Sequence, residues 1–204
     1  MEKMKINEIR EPIQKRSIEK KEKIIKAGFE LICEKGYYNT STPDIAESAG
    51  VSTGIIYQYF NDKKDIFIEG IKQYSNSIMF PMINVLESQK IEINNFDKLL
   101  NTMIDKFIET HTISKKAHEE LIAMSHLDSD ISAIFKNFEF ETTEKIVTLL
   151  ENNNIHLENP REKVHIIINI VDNLCHEIVY HKHPQINYDI MKNEVINIIK
   201  NILK

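Results

Sequence analysis

Asp172 and His176 stand four residues apart within an apolar run, so a helix there would set both on one face. That spacing suits an ion pair, a ligand-binding pair or half of a metal site. A metal site needs third and fourth ligands. Neither His111, His118 and His126 earlier in the chain nor His181 and His183 in the expected loop before Pro184 is singled out by spacing for that role. The expected role of these histidines is core or solvated hydrogen bonding, with no metal and no cofactor. Asn169 and Asn173 add polar groups to the same run. The sequence contains no nucleophile elbow, phosphate-binding loop, dinucleotide fingerprint or His-Glu-x-x-His helix, so no catalytic residues are expected. An enzyme built on the histidines and carboxylates of this region is the weaker alternative.

A second group of polar residues is denser and has a different chemistry. Ser52, Thr53, Gly54, Tyr57, Gln58, Tyr59 and Lys63, with Thr42 upstream, supply hydroxyls, one amide, one charge and one position without a side chain. On a helix presented to a duplex, Gln58 matches the donor and acceptor of an adenine edge, and the Thr53 methyl matches that of thymine. Gly54 permits close backbone approach, and the free amides at a helix start near Ser52 and Thr53 suit phosphate. The other face of this stretch is apolar. Ile45, Ala46, Ala49, Val51, Ile56 and Phe60 are expected to pack on the preceding helix.

The elements that must position these groups are helices. Apolar residues recur at helical spacing along the chain, and no sustained two-residue alternation marks a strand, so the fold class is all-α with about nine helices. The first spans about Ser17 to Lys35 and ends at Gly36. Thr42 before Pro43 reads as a cap for a second helix reaching Ala49, which Gly50 ends. After a turn of about three residues Ser52 caps a third helix, Thr53 to Phe60, and this short connection is that of a helix-turn-helix. A long helix over about Asp65 to Glu87 follows, interrupted where Pro81 removes a backbone donor. Five more are expected at about Phe96–His111, Lys115–Met124, Ser129–Asn152, Pro160–His181 and Tyr188–Leu203.

The segment Gly36 to Phe67 resembles the DNA-binding domain of the TetR family of transcriptional regulators. Gly36, Tyr37, Thr42, Asp44, Ile45, Ala46, Ala49, Gly50, Val51, Ser52, Gly54, Tyr57, Tyr59, Phe60, Lys63 and Phe67 carry the resemblance. It implies an N-terminal helix-turn-helix domain followed by a helical ligand-binding and dimerisation domain. It also implies phosphate or groove contacts for Thr42, Ser52, Tyr57, Tyr59 and Lys63. The sequence departs from the family at Tyr59, where His is frequent, and at Thr53, where Lys is frequent.

The division expected is residues 1–64, with 1–16 as a flexible arm, and residues 65–204. The net charge of −5 is unevenly spread, since residues 1–64 carry 12 Lys and Arg against 10 Asp and Glu. DNA affinity is therefore expected from the mildly basic N-terminal region and from pairing two reading helices, not from overall charge. Apolar faces at about 160–181 and 188–203 suit a homodimer, whose two-fold symmetry matches a palindromic operator in double-stranded DNA. Tyr74, Ile78, Phe107, His111, Met124, Phe138, Asp172 and His176 are the candidate contacts for an unknown small-molecule inducer. The expected function is a ligand-responsive homodimeric repressor. A regulator controlled by a protein partner without an inducer is the alternative. No apolar stretch approaches the roughly 20 residues of a membrane span, so no membrane partner and a cytoplasmic location are expected. Cys33 and Cys175 lie in apolar helical patterns and read as buried thiols.

Overall fold

The computed structural model describes residues 15–88, 96–112 and 115–203, the side chains of 78–82 excepted. Most of the expected arm, residues 1–14, lies outside the described residues. Among those described there are nine α-helices and no strand: α1 Lys15–Lys35, α2 Thr42–Ala49, α3 Thr53–Ile56, α4 Lys63–Ser88, α5 Phe96–His111, α6 Lys115–Leu127, α7 Ser129–Asn152, α8 Pro160–Val179 and α9 Tyr188–Ile202. No helix among the described residues is long and apolar enough to cross a membrane.

The described residues gather into two compact units, one of those up to Tyr74 with Lys116–Ile131, the other of those within Ser75–Lys115 and from Ser132 onward. The change of unit therefore falls inside α4, about ten residues beyond the boundary expected near Asp65. The reason is packing. Ile66, Phe67 and Ile71 of α4 are fully buried, and the rings of Phe67 and Tyr74 lie 5.9 and 5.5 Å from that of Phe29 on α1. Gly70 brings the two helices close, because a Cβ built there would stand 2.6–2.8 Å from Phe29 Cδ2, Cβ and Cγ.

Local chemistry sets the ends of these helices. The cap of α2 is Ser41, not Thr42, one residue upstream of the expected position. Its hydroxyl accepts from the Asp44 N–H at 3.3 Å, while the Asp44 carboxylate accepts from the Ser41 N–H at 2.8 Å, a reciprocal box that satisfies two helix-end donors. The Ser41 hydroxyl also donates to the Asp44 carboxylate, and this bond, with that from the Ser41 N–H, holds the Asp44 carboxyl below its usual value. Gly50 ends α2 with φ of +63°, a backbone that a side chain would strain. Asp62 starts α4 by accepting from the N–H groups of Lys64 and Asp65 at 2.8 and 3.1 Å. α4 then runs as one helix through Pro81 to Ser88, so the expected interruption is not seen.

The first unit also includes α6 and the start of α7. The Tyr37 N–H donates to the Glu120 carboxylate at 2.6 Å, and the Lys64 ammonium pairs with Asp128 at 2.7 Å and Asp130 at 2.6 Å. Cys33 is half-buried, not buried as expected, and burial pushes its thiol up to about 12, with Glu120 and Glu30 adding to the effect, so it stays protonated at neutral pH.

The second unit is a helical bundle. Leu100, Ile104 and Phe107 of α5, Val171, Leu174 and Cys175 of α8, and Val195, Ile196 and Ile199 of α9 form its main buried cluster. A smaller cluster joins Leu86, Leu99, Val147, Leu150 and Val164. Each such side chain contributes about 1.5–3 kcal/mol on burial, far more than the exposed ion pairs Lys192–Asp105 and Lys200–Asp97 that flank α9.

Candidate nucleic-acid interface

The helix-turn-helix has one face sealed against α1 and one left open. Ile45, Ala46, Ala49, Ile56 and Phe60 are each 3% exposed or less, as the apolar pattern predicts. On the other side Ser52, Gly54, Tyr57 and Gln58 are exposed, Tyr57 at 48%, and Thr42 and Thr53 are half-buried. The helix itself is shorter than the expected Thr53–Phe60. It ends at Ile56, after which Gln58 and Tyr59 donate to the carbonyls three residues back at 3.2 and 2.9 Å, tightening the chain into turns before Phe60 enters the core. Tyr57 and Gln58 therefore sit on a turn at the end of α3. Ser52 begins the helix with extended backbone, and its hydroxyl makes no capping bond.

Two residues expected at the DNA are turned inward instead. The Tyr59 hydroxyl is hydrogen-bonded to that of Ser17 at 2.7 Å, which ties the turn after α3 to the start of α1. The Lys63 ammonium donates to the carbonyls of Tyr37 at 2.6 Å and Thr40 at 2.7 Å and lies 4.3 Å from the Tyr37 ring centre. Those carbonyls belong to the α1–α2 connection, so Lys63 holds the scaffold of the reading face. The family resemblance implies phosphate for Lys63, a task its residue type fits as well as this one, and only the fold shows where the ammonium points. Ser17 and Glu120 were missed altogether. Glu120 lies 83 positions from Tyr37, and no local signal marks it.

Lys63→Met should therefore destabilise the first unit by about 1–3 kcal/mol, by leaving part-buried carbonyls without their charged donor. Denaturant unfolding measures the loss. The dependence of DNA affinity on salt should keep its slope, whereas loss of a phosphate contact would flatten it by about 0.9 on a log–log plot.

The candidate inducer contacts do not form one cluster. Tyr74 and the fully buried Met124 belong to the first unit, Phe107, His111, Phe138, Asp172 and His176 to the second, and the side chain of Ile78 lies outside the described residues. The second unit contains a cavity of about 70 Å³ lined only by apolar side chains, among them Leu86, Leu99, Met103, Ile146, Val164 and Leu203. None of the eight candidates lines it. On α5 and α8 its walls come from Met103, Ile104, Ile167, Ile168 and Val171, a turn or more before His111 and His176. Phe107 is packed in the bundle core, and Phe138 is only half-buried. His111, Asp172 and His176 do come together. The Asp172 carboxylate lies 3.5 Å from His111 Nε2 and 3.6 Å from His176 Nε2.

A profile described as "Bacterial regulatory proteins, tetR family" matches residues 24–69, the whole helix-turn-helix and the start of α4. The helix-turn-helix of this chain is that of the TetR family of transcriptional regulators. This regulator is 43% identical over 75 residues to the HTH-type transcriptional regulator HbdR of Aromatoleum sp. (strain CIB), a match taking in 37% of the chain but only 28% of HbdR. It is 25% identical over 192 residues to the HTH-type transcriptional regulator YvdT of Bacillus subtilis, uncharacterized, covering 90% of the chain and 95% of that protein. Its fold superposes on a crystal structure described as a TetR-family regulator from Mesorhizobium loti with a TM-score of 0.72 at 18% identity, covering 93% and 98% of the two chains. The family consists of transcriptional regulators and not of enzymes. Beyond α4 the likeness is thus one of architecture, with little shared sequence.

Proposed function

We propose that this regulator is a cytoplasmic homodimeric repressor that occupies a palindromic operator and is released by a small molecule bound in its second unit. The open face formed by Ser52, Thr53, Gly54, Tyr57 and Gln58, with an apolar core directly behind it, carries the reading. Among the described residues nothing requires a glycine at 54, since a Cβ there would meet no atom nearer than Ser52 Oγ at 4.0 Å. Close approach of a duplex supplies the requirement. Thr42 and the backbone amides at Ser52 and Thr53 would contact phosphate, Gln58 a base edge, and Tyr57 a phosphate through its hydroxyl.

The dimer would form through α8 and α9. Ile166 on α8 and Ile190 and Ile198 on α9 are exposed at 49, 59 and 45%, and a groove between the two helices is walled by Ile166, Ile170, Met191 and Val195, with His165, Asn169 and Asn173 adding polar groups. A second copy buries these residues economically and sets two reading faces at operator spacing. The apolar cavity favours an inducer over control by a protein partner alone, and favours an apolar inducer over a charged one.

The test is binding of the full chain to DNA from the promoter of its own gene. Gln58→Ala and Tyr57→Ala should each cost about 1–3 kcal/mol, roughly five- to hundredfold in affinity, with Gln58→Ala also relaxing discrimination at one base pair. Unchanged affinity in both variants would refute the assignment of this face.

A further inference from the structure

His111 is the last residue of α5, while Asp172 and His176 lie one turn apart on α8. The His111 side chain is 5% exposed. Its Nδ1 lies 2.8 Å from the Phe107 carbonyl, which can only accept, so Nδ1 carries a proton and Nε2 is the nitrogen that faces Asp172. The Tyr180 hydroxyl donates to the His111 carbonyl and ties the end of α5 to the end of α8.

The separations of 3.5 and 3.6 Å between the Asp172 oxygen and the two Nε2 atoms exceed the roughly 2.7–2.9 Å of a charge-assisted hydrogen bond. One Asp172 oxygen thus stands between the two Nε2 atoms at more than hydrogen-bond length from each. One ligand atom from each of the three residues lies within 4.8 Å of the others. Around an ion with ligands at about 2.1 Å, the edge of a tetrahedron is about 3.4 Å, which two of the three separations already match.

We propose that His111, Asp172 and His176 bind one divalent transition-metal ion of the zinc class, bridging α5 and α8. Two imidazole nitrogens and one carboxylate oxygen suit such an ion and not magnesium or calcium, which take oxygen ligands. The bond from His111 Nδ1 to a backbone carbonyl is the outer-shell contact that fixes a ligating imidazole. With three protein ligands, the fourth position is left to water or to an exogenous donor.

The experiment uses the full chain, stripped with a chelator and titrated with Co²⁺. One Co²⁺ should bind per chain with the visible absorption of a four-coordinate site, and one equivalent of Zn²⁺ should displace it. Asp172→Asn and His176→Gln alter partly exposed side chains and should keep the helical circular dichroism. Each should weaken Co²⁺ binding by at least about tenfold. A variant with both His181 and His183 changed to Gln should bind as the wild type does. The proposal is overturned if the wild type shows no such absorption at stoichiometric Co²⁺, if both single variants retain it, or if the His181/His183 variant loses it.

Discussion

Gly70→Val is expected to leave the first unit unfolded under conditions where the wild type is folded, with a loss of about 3 kcal/mol or more. The added side chain cannot be accommodated by a rotamer change. Even the Cβ of alanine would fall 2.7 Å from the Phe29 Cβ, an atom fixed to the backbone of α1, and 2.6 Å from its ring. Relief requires α1 and α4 to separate, which opens the contacts of Phe29 with Phe67 and Tyr74 and exposes the buried Ile66 and Ile71. Gly70→Ala should show the same effect at smaller size, and Phe29→Ala should rescue it only in part, because a Cβ remains. Denaturant unfolding followed by circular dichroism measures both. An unchanged midpoint for Gly70→Ala would mean that the two helices do not cross as closely as the structure shows.

The largest effect on function is expected from Ile166→Glu combined with Ile198→Glu. Both side chains are about half exposed within one subunit, so the fold itself should lose little, within about 0.5 kcal/mol at each site. In the proposed dimer each would place an unpaired carboxylate in an apolar interface, which costs several kcal/mol. Sedimentation should show monomers. Operator affinity should fall by about 10²- to 10⁴-fold, since the second half-site would no longer be held at high effective concentration. A variant that remained dimeric with full affinity would place the interface elsewhere.

Much of this architecture was legible in the sequence because it depends on local pattern. Apolar spacing located the helices to within a few residues, and Gly50 marked the end of α2 because few other residues tolerate its backbone. The errors occur where one signal has two solutions. Ser41 and Thr42 are both competent caps, and Ser41 wins because it forms the reciprocal box with Asp44. Lys63 fits phosphate or a pair of carbonyls, and the choice depends on where the α1–α2 connection lies in space. Of the polar candidates in the bundle, Asp172 and His176 were paired by their spacing, whereas their juxtaposition with His111 depends on the register of α5 against α8, which no periodicity encodes. The cavity was misplaced for a related reason. Its walls are ordinary Leu, Ile and Met, which leave the same trace in a sequence as a filled core.

The links from Glu120 to the Tyr37 amide and from Lys64 to Asp128 and Asp130 bear on how this protein could be recombined. A chimera that grafts only the first 64 residues onto a foreign bundle would leave the Tyr37 amide without its carboxylate and Lys64 without both partners. The transplantable module is discontinuous in the gene: residues through Tyr74 must travel with 116–131, and a designer seeking new operator specificity on another sensor would splice at three points, not one.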